Sequence, residues 1–337
     1  MASRTGATGY VGGDALFILA RAHPDYEITA LVRSKGKGQE VHNHYPSIHL
    51  VYGTLDDFEL LAQEVAKADI TCHWASCEHE AGAKAIAEGL SRNASGFVIH
   101  LSGADNICFP DLNSGTYGKM DDRVFDDLTG LGHILAPENK APHREVDQAI
   151  FEAAKKGGKT AIVCPPTIYG PGRGPGNQRS IQVPELASRI LKRGRAVTVE
   201  GGDNTWNSVH VHDLANLFLK LVEAAAEGGG KADWGINGFY FAENGEFKWK
   251  AVSERIAMEA NARGLLSSVE LERLNAEEVD KMWEYGSFFW GTNSRSRAVR
   301  ATEVLGWKPV QGDIFEDVPK VVEAEAIALG FPPSQNI

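Results

Sequence analysis

The chain has 337 residues, 43% of them hydrophobic and 23% charged, with a formal net charge of -11. That length suits one large domain or a nucleotide domain with an attached lobe, and the composition excludes disorder as the default. The acidic balance, with no grouped Lys and Arg, argues against a nucleic-acid partner, because neutralising phosphates needs clustered cations.

Gly6, Gly9 and Gly12 open the chain's first pattern, and an apolar helical stretch follows, Ala15 to Ala20, closed by Pro24. Residues 27–32 read as a short strand ending in Arg33. A glycine loop, a helix and a strand within about thirty residues make most of one βαβ unit. Strands at 49–52, 70–74 and 97–101 then alternate with helical stretches at 57–68 and 82–90. Residues 143–156 form an amphipathic helix, with Val146, Ala149, Ile150, Ala153 and Ala154 at helical spacing, and 160–164 is another strand. Lys35 and Lys37 read as solvated surface, and His42, His44 and His49 as loop positions. Residues 165–176 are dense in Pro and Gly and read as a long loop leaving the sheet. A helix at 183–193 follows, the sheet-and-helix pattern resumes at 209–222, and 238–242 reads as a last strand. The rest is mostly helical, broken at Trp307-Lys308-Pro309.

This alternation predicts an α/β fold: a Rossmann-type, doubly wound parallel sheet with a smaller, mainly helical C-terminal lobe. The expected nucleotide domain covers 1–168, with 206–243 returning to the sheet, and 169–205 with 244–337 form the substrate lobe. One feature is unusual. The strand before the glycine loop, Met1 to Thr5, is short and polar for a central position.

The loop spacing has a physical purpose. The first glycine makes the turn, the second lets backbone approach a pyrophosphate, and the third lets the helix pack close to the sheet, with helix N–H groups facing the anion. An acidic residue ending the second strand would bind the ribose diol of NAD. Here Arg33 and Ser34 stand there, which suits the 2′-phosphate of NADP, with NAD the second choice.

The chain resembles the extended branch of the short-chain dehydrogenase/reductase superfamily, the NAD-dependent epimerase and dehydratase relatives. The resemblance rests on Thr5 to Gly13, Thr167 to Gly172, Val209 to Ala215 and Leu305 to Pro309. It implies that Gly6, Thr8, Gly9, Tyr10, Val11 and Gly12 meet the pyrophosphate and that Arg33 and Ser34 meet the adenosine ribose. Leu55 and Asp56 would flank the adenine, Ala75 and Ser76 would line the groove, and Pro165, Thr167 and Ile168 would border the nicotinamide. It also implies a small-molecule substrate and a homodimer through two sheet-flanking helices.

That superfamily's chemistry rests on Tyr-x-x-x-Lys, which puts a phenol and an ammonium on one helix face. None of the eight tyrosines here has Lys four residues on; by register Asn139 and His143 replace the pair. The remaining catalytic candidates are Ser102 at a strand end, Tyr117 in the loop beyond it, His143, whose reference pKa is near neutrality, and Tyr169 at the pocket's edge. Cys77, Glu78, His79 and Glu80 face the crevice, but no helical i, i+4 ligand pair or paired cysteines exist, so no metal is expected. His210 and His212 read as structural, with Asp213 capping the next helix. Arg173, Asn177, Gln178 and Arg179 suit either an anionic ligand or a solvated loop.

These features favour an enzyme that reduces a carbonyl or transiently oxidises an alcohol with a non-standard proton donor. A non-redox isomerase, lyase or cyclase on the same fold, or a dinucleotide-sensing module, are the alternatives. The sequence shows no signal-peptide pattern and no long apolar span, so a cytoplasmic location is expected and a membrane partner is not.

Overall fold

The computed structural model describes residues 2–130, 132 and 141–331. Its main sheet has seven parallel strands. They are β1 (Ala2–Thr5), β2 (Ile28–Val32), β3 (His49–Tyr52), β4 (Ile70–His73), β5 (Phe97–Leu101), then Lys159–Cys164 and Phe239–Phe241. β1 lies between β2 and β4, with β3 at one edge and Phe239–Phe241 at the other. The chain winds outward through β2 and β3, then reverses past β1 into β4. That switch point opens a crevice at the strands' carboxyl ends.

The helices are α1 (Tyr10–Ala22), α2 (Lys35–His44), α3 (Phe58–Lys67) and α4 (Glu80–Ser91), followed by Arg144–Lys155 and Val211–Ala226. α1 packs on Val211–Ala226, while α4 packs between α3 and Arg144–Lys155. With right-handed crossovers, the reversal at β1 puts these two groups on opposite sheet faces. Among the described residues, no helix is long and apolar enough to cross a membrane.

β1 is central despite its polar sequence. Thr5 pairs with Leu31 on one side and His73 on the other. Its hydroxyl lies 2.6 Å from His73 Nδ1, and the His73 ring stacks on His100 with centroids 5.1 Å apart. The Thr5 hydroxyl and His73 Nδ1 thereby satisfy each other, which lowers the cost of burying that pair. Burial, with His100 alongside, pushes His73 well below the usual imidazole pKa, so the ring is neutral.

α2 corrects the reading of His42 and His44 as loop positions, and His49, read the same way, opens β3. Ser34 caps α2, accepting from Lys37 N–H at 3.3 Å, and Val41 and Gly38 face inward. Gly36 and Gly38 lower its helix propensity and hid it in the sequence.

The lobe has its own core around Trp206, Trp249 and Trp290. Helices Gln182–Arg193, Trp249–Ala262 and Ile314–Ala328 pack together there. The lobe also holds short strands: Thr205–His210 pairs with Thr167–Tyr169 and Glu246–Lys248, and Ala196–Val199 with Leu271–Leu274. So within 206–243 it is the Val211–Ala226 helix and Phe239–Phe241 that return to the main sheet, while the preceding strand does not.

Asp213 is not the cap of its helix. That role falls to His210, whose Nδ1 accepts from His212 N–H at 3.1 Å. The Asp213 carboxylate instead accepts from Val310 N–H (3.1 Å) and Gln311 N–H (3.0 Å), and its carbonyl accepts from Trp307 Nε1 at 2.9 Å. Two sequence motifs almost a hundred residues apart thus lock together.

Candidate active site

The glycine loop lies at the crevice mouth. Gly6 has φ +86°, and a Cβ there would lie 2.5 Å from the Trp74 carbonyl. A Cβ on Gly12 would lie 2.3 Å from the Gly6 carbonyl oxygen. Only glycine permits either approach. Gly9 is the N-cap of α1; no side chain caps that end, and the first turn holds no acidic residue. The end of α1 is therefore a cradle of helix N–H groups suited to a diphosphate, and the residues fit a bound dinucleotide. Thr8 and Val11 flank the cradle, and Tyr10 donates to the Gly170 carbonyl at 2.5 Å.

The loop after Thr167–Tyr169 is fastened to this cradle. Asn177 N–H donates to the Thr8 carbonyl at 3.0 Å, and Arg173 forms an ion pair with buried Asp14 at 2.6 Å. Gln178 donates to the Gly174 carbonyl, and Arg179 pairs with Glu185 and Glu325. The polar stretch at 173–179 thus spends its charges and amides within the protein.

At the far end of the crevice, Arg33 is exposed just after β2 and forms no ion pair among the described residues. Ser34 is engaged as the α2 cap. Leu55 is half-buried against Gly82, and exposed Asp56 pairs with His79, which itself caps α4. Ala75 and Ser76 follow β4 beside Gly6. Pro165 accepts from Ala104 N–H at 2.9 Å, Thr167 is buried, and Ile168 packs on the sheet core.

Where the phenol–lysine pair would act, the structure gathers four other side chains. His143 is the N-cap of Arg144–Lys155 and adopts φ +62°, rare for a residue with a side chain. Its Nε2 lies 3.1 Å from Asp105 Oδ2 and 3.9 Å from Cys77 Sγ, and its Nδ1 lies 2.6 Å from Glu78 Oε1. The side chain is 93% buried. Burial opposes its charged form, yet Asp105, Cys77 and Glu78 outweigh that and hold its pKa well above the ordinary imidazole value. The same contact holds Glu78 below the usual carboxylate range. Gly103 leaves room for the ring; a Cβ there would lie 3.0 Å from Nε2. Asn139, the other expected replacement, lies outside the described residues.

The remaining expected catalytic side chains are committed elsewhere. Ser102 Oγ donates to buried Asp147 Oδ2 at 2.7 Å, and His100 Nε2 lies 3.4 Å from the other carboxylate oxygen. Tyr117 packs against Gly291 in the lobe core, held by the Gly118 N–H bond to the Gly291 carbonyl. Tyr169 is 2% exposed and donates to the Gly312 carbonyl; burial, with Asp213 and its acidic neighbours, raises its pKa well above the phenol range. Asp105 and Asp147 were not singled out from sequence. Asp147 carried a signal, an acid on the buried face of an amphipathic helix four residues after His143; Asp105 carried none. A surface hollow of about 740 Å³ between α4 and Arg144–Lys155 is lined by Lys84, Glu88, Gln148 and Glu152, and lies outside the crevice.

A switch-point crevice, a glycine cradle on the first helix and an imidazole at the strand ends define a dinucleotide-binding Rossmann enzyme. The sequence profile of the NAD dependent epimerase/dehydratase family matches residues 5–236, and the chain belongs to that family. It is 38% identical to "Oxidase ucsJ" of Acremonium sp, over 97% of this chain and 98% of that protein. Its fold is similar to UDP-glucose 4-epimerase of Thermotoga maritima, solved with UDP-glucose, at 16% identity and TM-score 0.66, covering 97% of this chain and 99% of that one. It is equally similar to the dTDP-glucose 4,6-dehydratase DesIV of Streptomyces venezuelae, solved with NAD, at 16% identity and TM-score 0.67, covering 97% of each.

Proposed function

We propose that this protein is an NADP(H)-dependent oxidoreductase acting on a carbonyl or hydroxyl group of a small organic molecule, with His143 in place of the phenol–lysine pair. The observation that carries the reading is the position of His143: buried, charged and ringed by acids at the strand ends, on the helix where the family's pair would stand. The dinucleotide, when bound, supplies or accepts the hydride.

The chain's own residues do the rest. Gly6, Gly9 and Gly12 admit the diphosphate, and Arg33 meets the 2′-phosphate. No acidic residue stands at the end of β2 to receive a ribose diol, which favours NADP over NAD. His143 presents a cationic group to the substrate oxygen and stabilises the charge developing there. Ser102 and Asp147 position the helix that carries it, and Tyr117 and Tyr169 hold the lobe over the crevice. The lobe then excludes water from the reacting groups. The 38% identical relative from Acremonium sp is named an oxidase, which supports redox chemistry rather than a silent binding role.

The test is turnover of a panel of aldehydes, ketones and secondary alcohols with NADPH or NADP⁺, followed at the reduced-nicotinamide absorbance. Wild type should turn over and His143→Ala should lose roughly a hundredfold or more in kcat, the scale of a lost general acid or charge stabiliser. Clear NADPH binding with no turnover on the whole panel would defeat the proposal.

A further inference from the structure

One feature of the crevice is left unexplained by the dinucleotide cradle and by the absent phenol. Cys77, Glu78 and His143 each offer a ligand-type atom, and these atoms all lie within 4.8 Å of one another. They come from two places in the fold, the turn after β4 and the start of Arg144–Lys155. The chemistry is mixed: one sulfur, one oxygen and one nitrogen.

The two ring nitrogens of His143 are not equivalent. Nε2 has a hydrogen bond to Asp105 at 3.1 Å. Nδ1 is buried and, among the described residues, meets no hydrogen-bond geometry, although Glu78 Oε1 lies 2.6 Å from it. When the ring gives up the Nδ1 proton, this buried nitrogen, crowded by a carboxylate and beside a thiol, offers its lone pair to an acceptor of another kind. The outer arrangement agrees. A metal-bound histidine almost always donates its second N–H to a carboxylate, which fixes the tautomer and raises the ligand's basicity. Asp105 stands there.

We propose that Cys77, Glu78 and His143 bind one divalent transition-metal ion of the zinc type, through Sγ, a carboxylate oxygen and Nδ1, with Asp105 orienting the ring. Thiolate and imidazole together select zinc or cobalt over magnesium and calcium. A thiolate and a carboxylate balance the ion's two charges. Three protein ligands leave a fourth tetrahedral position open, the pattern of a catalytic rather than a structural zinc site. The three ligands lie at the crevice, since Cys77 comes two residues after Ala75, which sits beside Gly6. The ion would then polarise the substrate oxygen as a Lewis acid, in place of the proton on His143. The inference deepens the oxidoreductase reading and rests on it for the identity of that oxygen.

Cobalt(II) titration of the full-length, chelator-treated protein tests the site without relying on turnover. Wild type should take up one equivalent, with a thiolate-to-cobalt charge-transfer band and strong tetrahedral visible bands. Cys77→Ser should lose the charge-transfer band. Asp105→Asn should keep the band and bind roughly 10–100-fold more weakly. Because Cys72, Cys108 and Cys164 are buried and Cys77 is not, zinc should also slow alkylation of the one readily modified thiol by iodoacetamide. Uptake of only a small fraction of an equivalent, or the same spectrum in Cys77→Ser and wild type, overturns the metal site. If that happens while NADPH binding and His143-dependent turnover persist, the imidazolium acts alone and the functional reading stands. A cobalt spectrum with no NADPH binding would defeat the functional reading and keep the site.

Discussion

Gly12 sets how near a diphosphate can come to the start of α1. An added methyl would press on the Gly6 carbonyl at 2.3 Å, and neither partner can yield without opening the turn. Gly12→Ala should therefore weaken NADPH binding by roughly tenfold or more, a loss of about 1.4 kcal/mol, measured by calorimetry. Arg33 makes a different prediction. Its exposed guanidinium has no carboxylate partner among the described residues to give up, so a charge-assisted phosphate contact of about 1.5–3 kcal/mol is available to it. Arg33→Ala should raise the Kd for NADPH roughly 10–100-fold and leave that for NADH nearly unchanged; equal effects on both would remove the basis for the NADP preference. The glycines and Arg33 were legible because each lies in one contiguous stretch whose spacing encodes its geometry. The His143 cluster was not. Cys77, Asp105 and His143 are brought together by the turns after β4 and β5 and by the start of Arg144–Lys155, and no spacing rule spans 66 residues.

At the scale of single elements, the short strand Thr205–His210 and the helix after it depend on a neutral imidazole. His210 Nδ1 must keep a lone pair to accept from His212 N–H, and the ring meets Tyr169 edge-on. Burial, with His212 next to it, lowers its pKa to about 4. The unfolded chain takes up that proton near pH 6.5. Between about pH 6.5 and pH 4 the unfolded state therefore binds more protons, and stability is lost as pH falls through that window. Denaturant midpoints should drop from pH 7 to pH 4.5, and His210→Asn, which keeps an acceptor for the cap, should flatten the drop. His212, also lowered by burial, supplies a residual slope in the variant. An identical pH dependence in wild type and variant would show that His210 is not the sensor. The same region shows where element-level reading succeeded and where it slipped. The strand-to-helix turn at 209–213 was evident from its pattern. The capping residue was misassigned to Asp213 because acids are common caps, whereas here the lobe's backbone competes for that carboxylate. β1 poses the converse case: its polar sequence argued against a central strand, and its place is accounted for by the contact of the Thr5 hydroxyl with His73 across the ladder, a ring stacked in turn on His100.

Across the whole molecule, three buried hydrophobic clusters share one chain among the described residues, and a few buried polar contacts join the large sheet core to the lobe core. Asp111 accepts from Asn293 N–H at 2.6 Å, tying the short helix Phe109–Ser114 to the lobe. Asp213 ties the Trp307 to Gln311 segment to the helix under the sheet. Removing the Asp213 carboxylate leaves two backbone donors without partners, at about 1–2 kcal/mol each. Asp213→Ala should therefore cost about 2–4 kcal/mol, concentrated at the junction between the cores. In scanning calorimetry the wild type should unfold in one transition that NADPH raises as a whole, since a ligand at a hundred times its Kd adds about 2.7 kcal/mol. The variant should show a broadened or split transition, and NADPH should raise only the part belonging to the sheet core. A single variant transition that shifts with NADPH as the wild type does would mean the cores communicate through the chain crossings and the Asp111 contact instead. The lobe would then stay closed over the crevice without help from Asp213, and the variant's turnover would match that of wild type.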